Sequence, residues 1–244
     1  MTKGNGKRVL RRLCAAVLAS ACLLAVAGDL TGCILTNATV LREMNKSGYL
    51  EVDTDGSDAL FLSEYENYRA YYSQLQAQAD VTLTPVNGAT IPEDLEEKDG
   101  DHHGLNFAAY TFYCRNMGAE PVDVDYELYI VRMSPEMKKA VRIRLITEEF
   151  APGGRNVSRT DYALACDDGT PEPGTEAFAE ENIVVKGTVF DLAPDASENA
   201  GVGNEAVTYL RFTVAVWLEG KDPDCEDGAI GTFKLGMLIG QAAA

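Results

Sequence analysis

The chain has 244 residues, 46% of them hydrophobic and 24% charged, so it holds enough apolar material for one sizeable core, which argues against a wholly disordered chain. Its 38 acidic residues outnumber the 21 basic ones, giving a formal net charge of −17. Because nucleic-acid binding depends on neutralising phosphates with lysine and arginine, this balance argues against nucleic acid as a partner.

Residues 1–33 have the three parts of an export signal: a basic start, an apolar run from Leu13 to Ala27, and small residues after it. The run is shorter than the roughly 20 residues of a membrane span. Ala25-Val26-Ala27 fits signal peptidase, whereas Leu30-Thr31-Gly32-Cys33 resembles a bacterial lipobox, whose cysteine receives lipid. Cleavage, lipidation at Cys33 and an uncleaved anchor all stay open, and each predicts an extracellular, cell-surface or membrane-anchored protein.

Residues 34–80 form the predicted N-terminal segment. In "EVDTDGSDA", Asp53, Asp55 and Asp58 surround Gly56, which resembles part of a calcium loop. An acidic turn explains the same residues. We therefore expect no cofactor, and calcium is the one alternative that the sequence suggests.

A helix is predicted near Ser63 to Ala79. Ser63 and Glu66 form an S-x-x-E start, and apolar or aromatic residues recur at helical steps of three and four. We expect this stripe to pack on a sheet. It consists of Leu62, Tyr65, Tyr68, Tyr72, Leu75 and Ala79.

Residues 81–240 are predicted to form a β-sandwich domain. Apolar and polar residues alternate along several segments, as in half-buried strands. Strand follows strand without intervening helices, which predicts an antiparallel, all-β sandwich or barrel. The strand segments begin at Phe107, Val122, Val141, Ile183, Tyr209 and Phe233.

One long insertion, residues 150–182, interrupts this pattern with Pro, Gly and acidic residues. It is longer than a compact domain needs for a connection, so we expect either a mobile segment or a surface feature with a function. It contains Cys166 in an "ACDDG" loop, similar to the "DCEDG" loop of Cys225. We predict a disulfide between Cys166 and Cys225, and a buried thiol at Cys114, which lies in a strand.

Catalytic signatures are weak. His102 and His103 are adjacent, so a strand would point them to opposite faces, and they belong to no H-E-x-x-H helix. Zinc would need distant partners, and polar loop residues are the simpler interpretation. Asp222, Asp224, Glu226 and Asp227 form an acidic loop after Trp217, the only tryptophan. We expect this loop to be a solvated structural turn, with weak calcium binding as the alternative. The sequence therefore predicts no enzymatic activity.

Two segments carry a resemblance to a known group. "FAAYTFYCRNMGAEPVDVDYELYI" and "FTVAVWLEGKDPDCEDGAIGTFKLGMLI" resemble the camelysin and TasA-like exported proteins of Gram-positive bacteria, most specifically at W-L-E-G-x-D-P-D-C. The resemblance implies a jelly-roll-like sandwich at the cell surface. The group includes subunits of biofilm matrix fibres and one described metalloprotease.

These observations predict an exported structural or adhesive protein of the envelope or extracellular matrix. Its expected partners are itself or other cell-surface proteins, joined through strand edges, with Leu35 to Glu51 as the strand donor. A lipid-anchored binding module is the first alternative and a camelysin-like metalloprotease the second. Removal of the segment before Cys33 leaves 16 basic and 37 acidic residues, a charge of −21 that opposes self-association at low salt.

Overall fold

The computed structural model describes residues 48–67, 70–77, 81–195, 207–225 and 233–242. The predicted export signal and Cys33, most of the proposed strand donor, and the end of the acidic loop lie outside this part. The strands are β1 Leu50–Asp53, β2 Leu60–Ser63, β3 Gln74–Gln76, β4 Pro85–Val86, β5 Gly100–Asp101, β6 Phe107–Asn116, β7 Val122–Met133, β8 Val141–Ala151, β9 Gly154–Ala163, β10 Glu176–Ala177, β11 Ile183–Leu192, β12 Tyr209–Glu219 and β13 Phe233–Gln241.

The strands form two sheets, which confirms the predicted all-β class. Sheet A has five strands in the order β11-β7-β13-β1-β3. Sheet B has eight strands: six follow the order β10-β9-β8-β12-β6-β2, while β4 pairs with β12 and β5 with β6. All six predicted strand segments are strands, because their period-two alternation gives each one an apolar face.

The main core lies between the sheets. Phe112 of β6 stacks on Phe212 of β12 with ring centroids 5.4 Å apart, and Tyr126 of β7 meets the same ring edge-on at 5.4 Å. Since β7 belongs to sheet A and the other two strands to sheet B, these aromatic contacts join the layers.

A smaller core covers part of the outer face of sheet B. Trp217 is buried there, on the strand face opposite the main core and under a covering segment. The cover carries two 3-10 helices, residues 88–90 and 95–97, and supplies Ile91 and Leu95 to this core.

A single α-helix occurs among the described residues: α1, Pro135–Ala140, between β7 and β8. The Ser134 hydroxyl accepts a hydrogen bond from the Met137 N–H at 3.2 Å, and proline stands at the first turn, where its missing N–H costs nothing. No helix in the described ranges is long and apolar enough to cross a membrane.

The helix predicted near Ser63 to Ala79 is wrong. Ser63 ends β2, and its hydroxyl binds the backbone of Tyr65 in a local turn instead of capping a helix. Tyr65 and Tyr72 are each almost half exposed, so they form no buried stripe. Tyr72 instead exchanges backbone hydrogen bonds with Leu62 at 2.8 and 2.9 Å.

The boundaries of the insertion at 150–182 also need correction. Its first part is the hairpin of β8 and β9, paired in register from Ala151 with Gly154 to Ile143 with Tyr162. The connection beyond β9 therefore begins only after Ala163. The end of the proposed strand donor is not free either, because Leu50 and Glu51 lie in β1, between β13 and β3.

Candidate functional site

A cleft of about 500 Å³ lies at one end of the outer face of sheet B. Arg142 and Arg144 come from β8, and Trp217 and Glu219 from β12. Register explains their meeting, because Trp217 is the cross-strand partner of Arg142. Three loops complete the lining, with residues 87–89, 172–175 and 221–223. We call this the Arg142 cleft.

Arg142 is the central charge of the cleft. Its guanidinium is buried and donates from Nη2 to Asp222 Oδ2 at 2.6 Å and to Glu172 Oε2 at 3.4 Å. Asp222 follows β12, whereas Glu172 lies in the connection after β9. Arg142 therefore ties two distant loops together. Asp222 is itself buried, so the prediction that all acids of its loop are solvated is wrong at this residue.

A second ion pair lines the same cleft. Arg144 binds Asp161 through two hydrogen bonds, Nε to Oδ1 at 2.6 Å and Nη2 to Oδ2 at 2.9 Å. The hydrogen bond to Asp161 is the main reason that the pKa of Arg144 is raised above its ordinary value. The guanidinium also lies 5.2 Å from the ring centroid of Trp217, within the range of cation–π attraction.

Glu219 closes the cleft against the first 3-10 helix. Its Oε2 accepts from the Gly88 N–H at 2.9 Å, and its Oε1 accepts from the Lys221 N–H at 3.1 Å. A Cβ at position 88 would lie 2.5 Å from Glu219 Oε2 and 3.0 Å from Trp217 Nε1, so a larger residue here would require the Glu219 carboxylate to move.

The chemistry of the cleft is polar binding. Its two arginines are paired with carboxylates, and Lys221 is an exposed cation at the rim. Its described lining contains no cysteine, histidine or serine. Such a surface offers hydrogen bonds and charge to a polar ligand, and no nucleophile among those three residue types.

The two cysteines predicted to pair lie beside these loops. The Cys166 thiol donates to Glu172 Oε1 at 3.1 Å, which is the main reason that its pKa is raised, and the Cys225 N–H donates to the Asp222 carbonyl at 3.0 Å. The structure contains no disulfide between Cys166 and Cys225, and that pairing stays a prediction. Cys114 is buried in the main core, as predicted, and this burial raises its pKa to about 12.

The predicted calcium residues form a turn. Asp55 and Gly56 have φ of 50° and 72°, and the Ser57 N–H donates to the Thr54 carbonyl at 3.0 Å, an Asp-Gly turn of type I′ character. Asp53 Oδ1 accepts the Asp55 N–H at 3.0 Å. Asp58 is exposed. Calcium binding by these three aspartates stays a prediction.

The two histidines have separate local partners. His102 Nδ1 lies 2.8 Å from the Gly100 carbonyl, and His103 Nδ1 lies 2.7 Å from Asp101 Oδ1. Burial lowers the pKa of His102 below its ordinary value. Within the described ranges, no group of three or more His, Cys, Asp or Glu side chains is arranged to hold a metal ion.

A second candidate feature is the edge of sheet B at β9. From Gly154 to Thr160, no described strand pairs with the side of β9 that faces away from β8, and β10 takes this side only at Tyr162 and Ala163. These seven residues include two arginines, Arg155 and Arg159, but no lysine or proline, and the pairing with β8 has no register shift. An edge without such protection is a template for strand pairing.

The other three sheet edges are protected. At β2, Tyr72 occupies the backbone groups of Leu62, and β3 is only three residues long. β11 has two register shifts, a lysine at position 186, and Asp191 with a φ of 57°. β9 is therefore the long regular edge of the described structure.

Sequence reasoning missed Arg142 and β9 as functional candidates, and it assigned Asp222 to a solvated turn without its arginine partner. The alternation of "VRIRLI" does place Arg142 and Arg144 on the strand face opposite the core, which was the available signal. Comparison with protein-family models, curated proteins and solved structures finds no match for this chain.

Proposed function

We propose that the protein is an exported structural or adhesive component of the cell envelope or extracellular matrix that associates with itself through sheet edges. The single observation that carries this proposal is the unprotected edge of β9. The resemblance to camelysin and TasA-like proteins supports the same function. So does the passage of the chain between the sheets, since β6, β7 and β8 alternate between sheets B and A, as in a jelly-roll-like sandwich.

Electrostatics sets the conditions of association. A charge of −21 on the chain from Cys33 onward makes protomers repel, and salt screens this repulsion. We expect monomers at low ionic strength and larger species at about 0.15 M salt, where the screening length is about 8 Å.

Light scattering and electron microscopy of the purified chain test the proposal across protein concentration, salt and calcium. Growth of the scattering mass with salt supports it. Monomers under every condition would end the self-associating function.

A binding module is the second candidate function, and one observation favours it. The connection after β9 supplies Glu172 to Thr175 to the lining of the Arg142 cleft, so the long insertion helps to form a concave polar surface. Thermal-shift screening with monosaccharides, amino acids and short peptides tests this candidate. A bound ligand raises the melting temperature of the parent chain. Ala89→Trp adds bulk to the lining and should abolish the rise, whereas no shift with any probe counts against a ligand site.

The camelysin-like metalloprotease is distinguished by metal content. Stoichiometric zinc in the purified protein would favour the protease, because a catalytic site holds zinc with three protein ligands. Calcium alone would favour a stabilised surface module.

A further inference from the structure

We infer that β9 pairs with β9 of a second copy of this chain, antiparallel about a two-fold axis at Ser158. The pairing joins two copies of sheet B into one continuous sheet. The inference rests on the proposed function and specifies which edge associates and in which register.

The hairpin fixes which backbone groups of β9 point outward. The two-residue turn closes on the pair Ala151 and Gly154, which must be a hydrogen-bonded pair. Hydrogen-bonded and non-bonded pairs then alternate along an antiparallel ladder. The N–H and C=O groups of Arg155, Val157 and Arg159 therefore point away from β8, toward a neighbouring strand.

A two-fold axis at Ser158 brings the outward backbone groups of one copy opposite the outward backbone groups of the other. It places Val157 opposite Arg159 of the other copy, and both residues have outward backbone groups, so they form a hydrogen-bonded pair. The symmetry repeats this pair on the other side of the axis, as in any isologous interface. Ser158 lies opposite Ser158 of the other copy in a non-hydrogen-bonded pair.

Side-chain charge agrees with this register. Arg155 lies opposite Asp161 of the other copy, which already accepts two hydrogen bonds from its own Arg144, so Arg155 adds a second cation beside this carboxylate. Arg155 is about half exposed, at 49%, while it also reaches Glu148 Oε1 at 3.0 Å. This attraction acts at both ends of the paired stretch. It offsets part of the repulsion between the two negatively charged copies.

Neighbouring registers are worse. An axis at Val157 places Arg155 opposite Arg159, and an axis at Arg159 places this arginine opposite itself, so both bring like charges together. An axis at Asn156 leaves only Gly154 to Ser158 paired, because the partner strand ends at its turn. An axis at Thr160 places Ser158 opposite Tyr162 and Val157 opposite Ala163, where β10 already pairs, whereas the axis at Ser158 brings only the turn residue Gly154 to Tyr162.

Cysteine cross-linking tests the register. The Cα atoms of a non-bonded antiparallel pair lie about 4.5 Å apart, within the range that a disulfide spans. Ser158→Cys should therefore give a covalent dimer on mild oxidation, with the 158–158 linkage identified by mass spectrometry. Asn156→Cys and Thr160→Cys are controls on the same strand face, where Asn156 is exposed and Thr160 is half-buried. In this register position 156 of one copy lies opposite position 160 of the other. The two cysteines of each control variant are therefore more than about 7 Å apart and should remain unlinked.

A proline substitution tests the backbone contribution. The Val157 N–H points away from β8, so Val157→Pro removes an edge donor and leaves the hairpin ladder intact. We expect the dimer association constant to fall at least about tenfold. Val157→Thr keeps the N–H and should associate like the parent. Circular dichroism and unfolding curves confirm that both variants fold.

The outcomes separate the inference from the function on which it rests. Selective linkage at position 158, with loss of association in Val157→Pro, supports both. Linkage at 156 or 160 instead overturns the register. If the parent and Val157→Pro associate equally well, β9 is not the associating edge. The protein is then still self-associating, and only the inference about β9 is overturned. Monomers for every variant and condition overturn both.

Discussion

Replacing Arg142 by methionine should remove the central ion pair of the cleft at a measurable cost. The arginine is 5% exposed and Asp222 6% exposed, with Nη2 and Oδ2 2.6 Å apart. Methionine has similar length and no charge, so Asp222 stays buried without its cation. Breaking a buried pair in this way costs about 3 to 5 kcal/mol of unfolding free energy. The Asp224 N–H, which donates to Asp222 Oδ1 at 2.8 Å, keeps the expected loss near the lower value.

Urea unfolding followed by tryptophan fluorescence measures this loss. Trp217 is the only tryptophan of the chain and lines the same cleft, so its emission reports on this region. A loss of about 3 kcal/mol moves the midpoint by about 1 M when m is near 3 kcal/mol/M. Coincident unfolding by circular dichroism establishes that the transition is two-state.

Two further variants make the reasoning refutable. The double variant Arg142→Met with Asp222→Leu contains neither charge, so we expect it to recover at least half of the loss. Lys221→Met removes an exposed cation from the rim of the same cleft and should change stability by no more than about 0.5 kcal/mol. A loss below about 1 kcal/mol for Arg142→Met, or a double variant as unstable as the single one, would refute the importance of the buried pair.

Three other predictions concern the cysteines and one histidine. Non-reducing peptide mapping of the purified protein should find Cys166 linked to Cys225, whereas a Cys114 to Cys166 linkage would contradict the pairing. If Cys33 is lipidated, Cys33→Ser should release the protein from the membrane, and unchanged retention would indicate an uncleaved anchor. Burial lowers the pKa of His102, so its contribution to stability is present above the unfolded value of about 6.5 and is lost as pH falls through the lower folded pKa. His102→Gln should remove this part of the pH dependence of urea unfolding, and an identical pH profile would contradict it.

Strands that cross the core could be predicted because burial on one face imposes a period of two. In β7 the apolar residues Val124, Leu128 and Ile130 face the core, and the sequence shows this directly. β9 could not be found in this way. Residues 154–159 are exposed, so no core contact selects apolar side chains at alternate positions.

The predicted helix failed because tyrosine spacing alone does not determine secondary structure. Leu62 and Leu75 are buried in strands of different sheets, and turns between them bring Tyr65 and Tyr72 to the surface. The cleft was beyond sequence reasoning for another reason. Arg142 and Asp222 are 80 residues apart, and only the pairing of β8 with β12 brings them together.

The position of β13 has a consequence for the order of folding. This last strand lies between β7 and β1 in sheet A, and it pairs in parallel with β1, the first described strand. During synthesis, β1 and β3 cannot join the rest of sheet A until residues 233–241 are available. Such distant pairing requires closure of a very long loop and makes folding slow. Sheet A therefore remains incomplete until residues 233–241 have been made, and loss of β13 would divide sheet A in two.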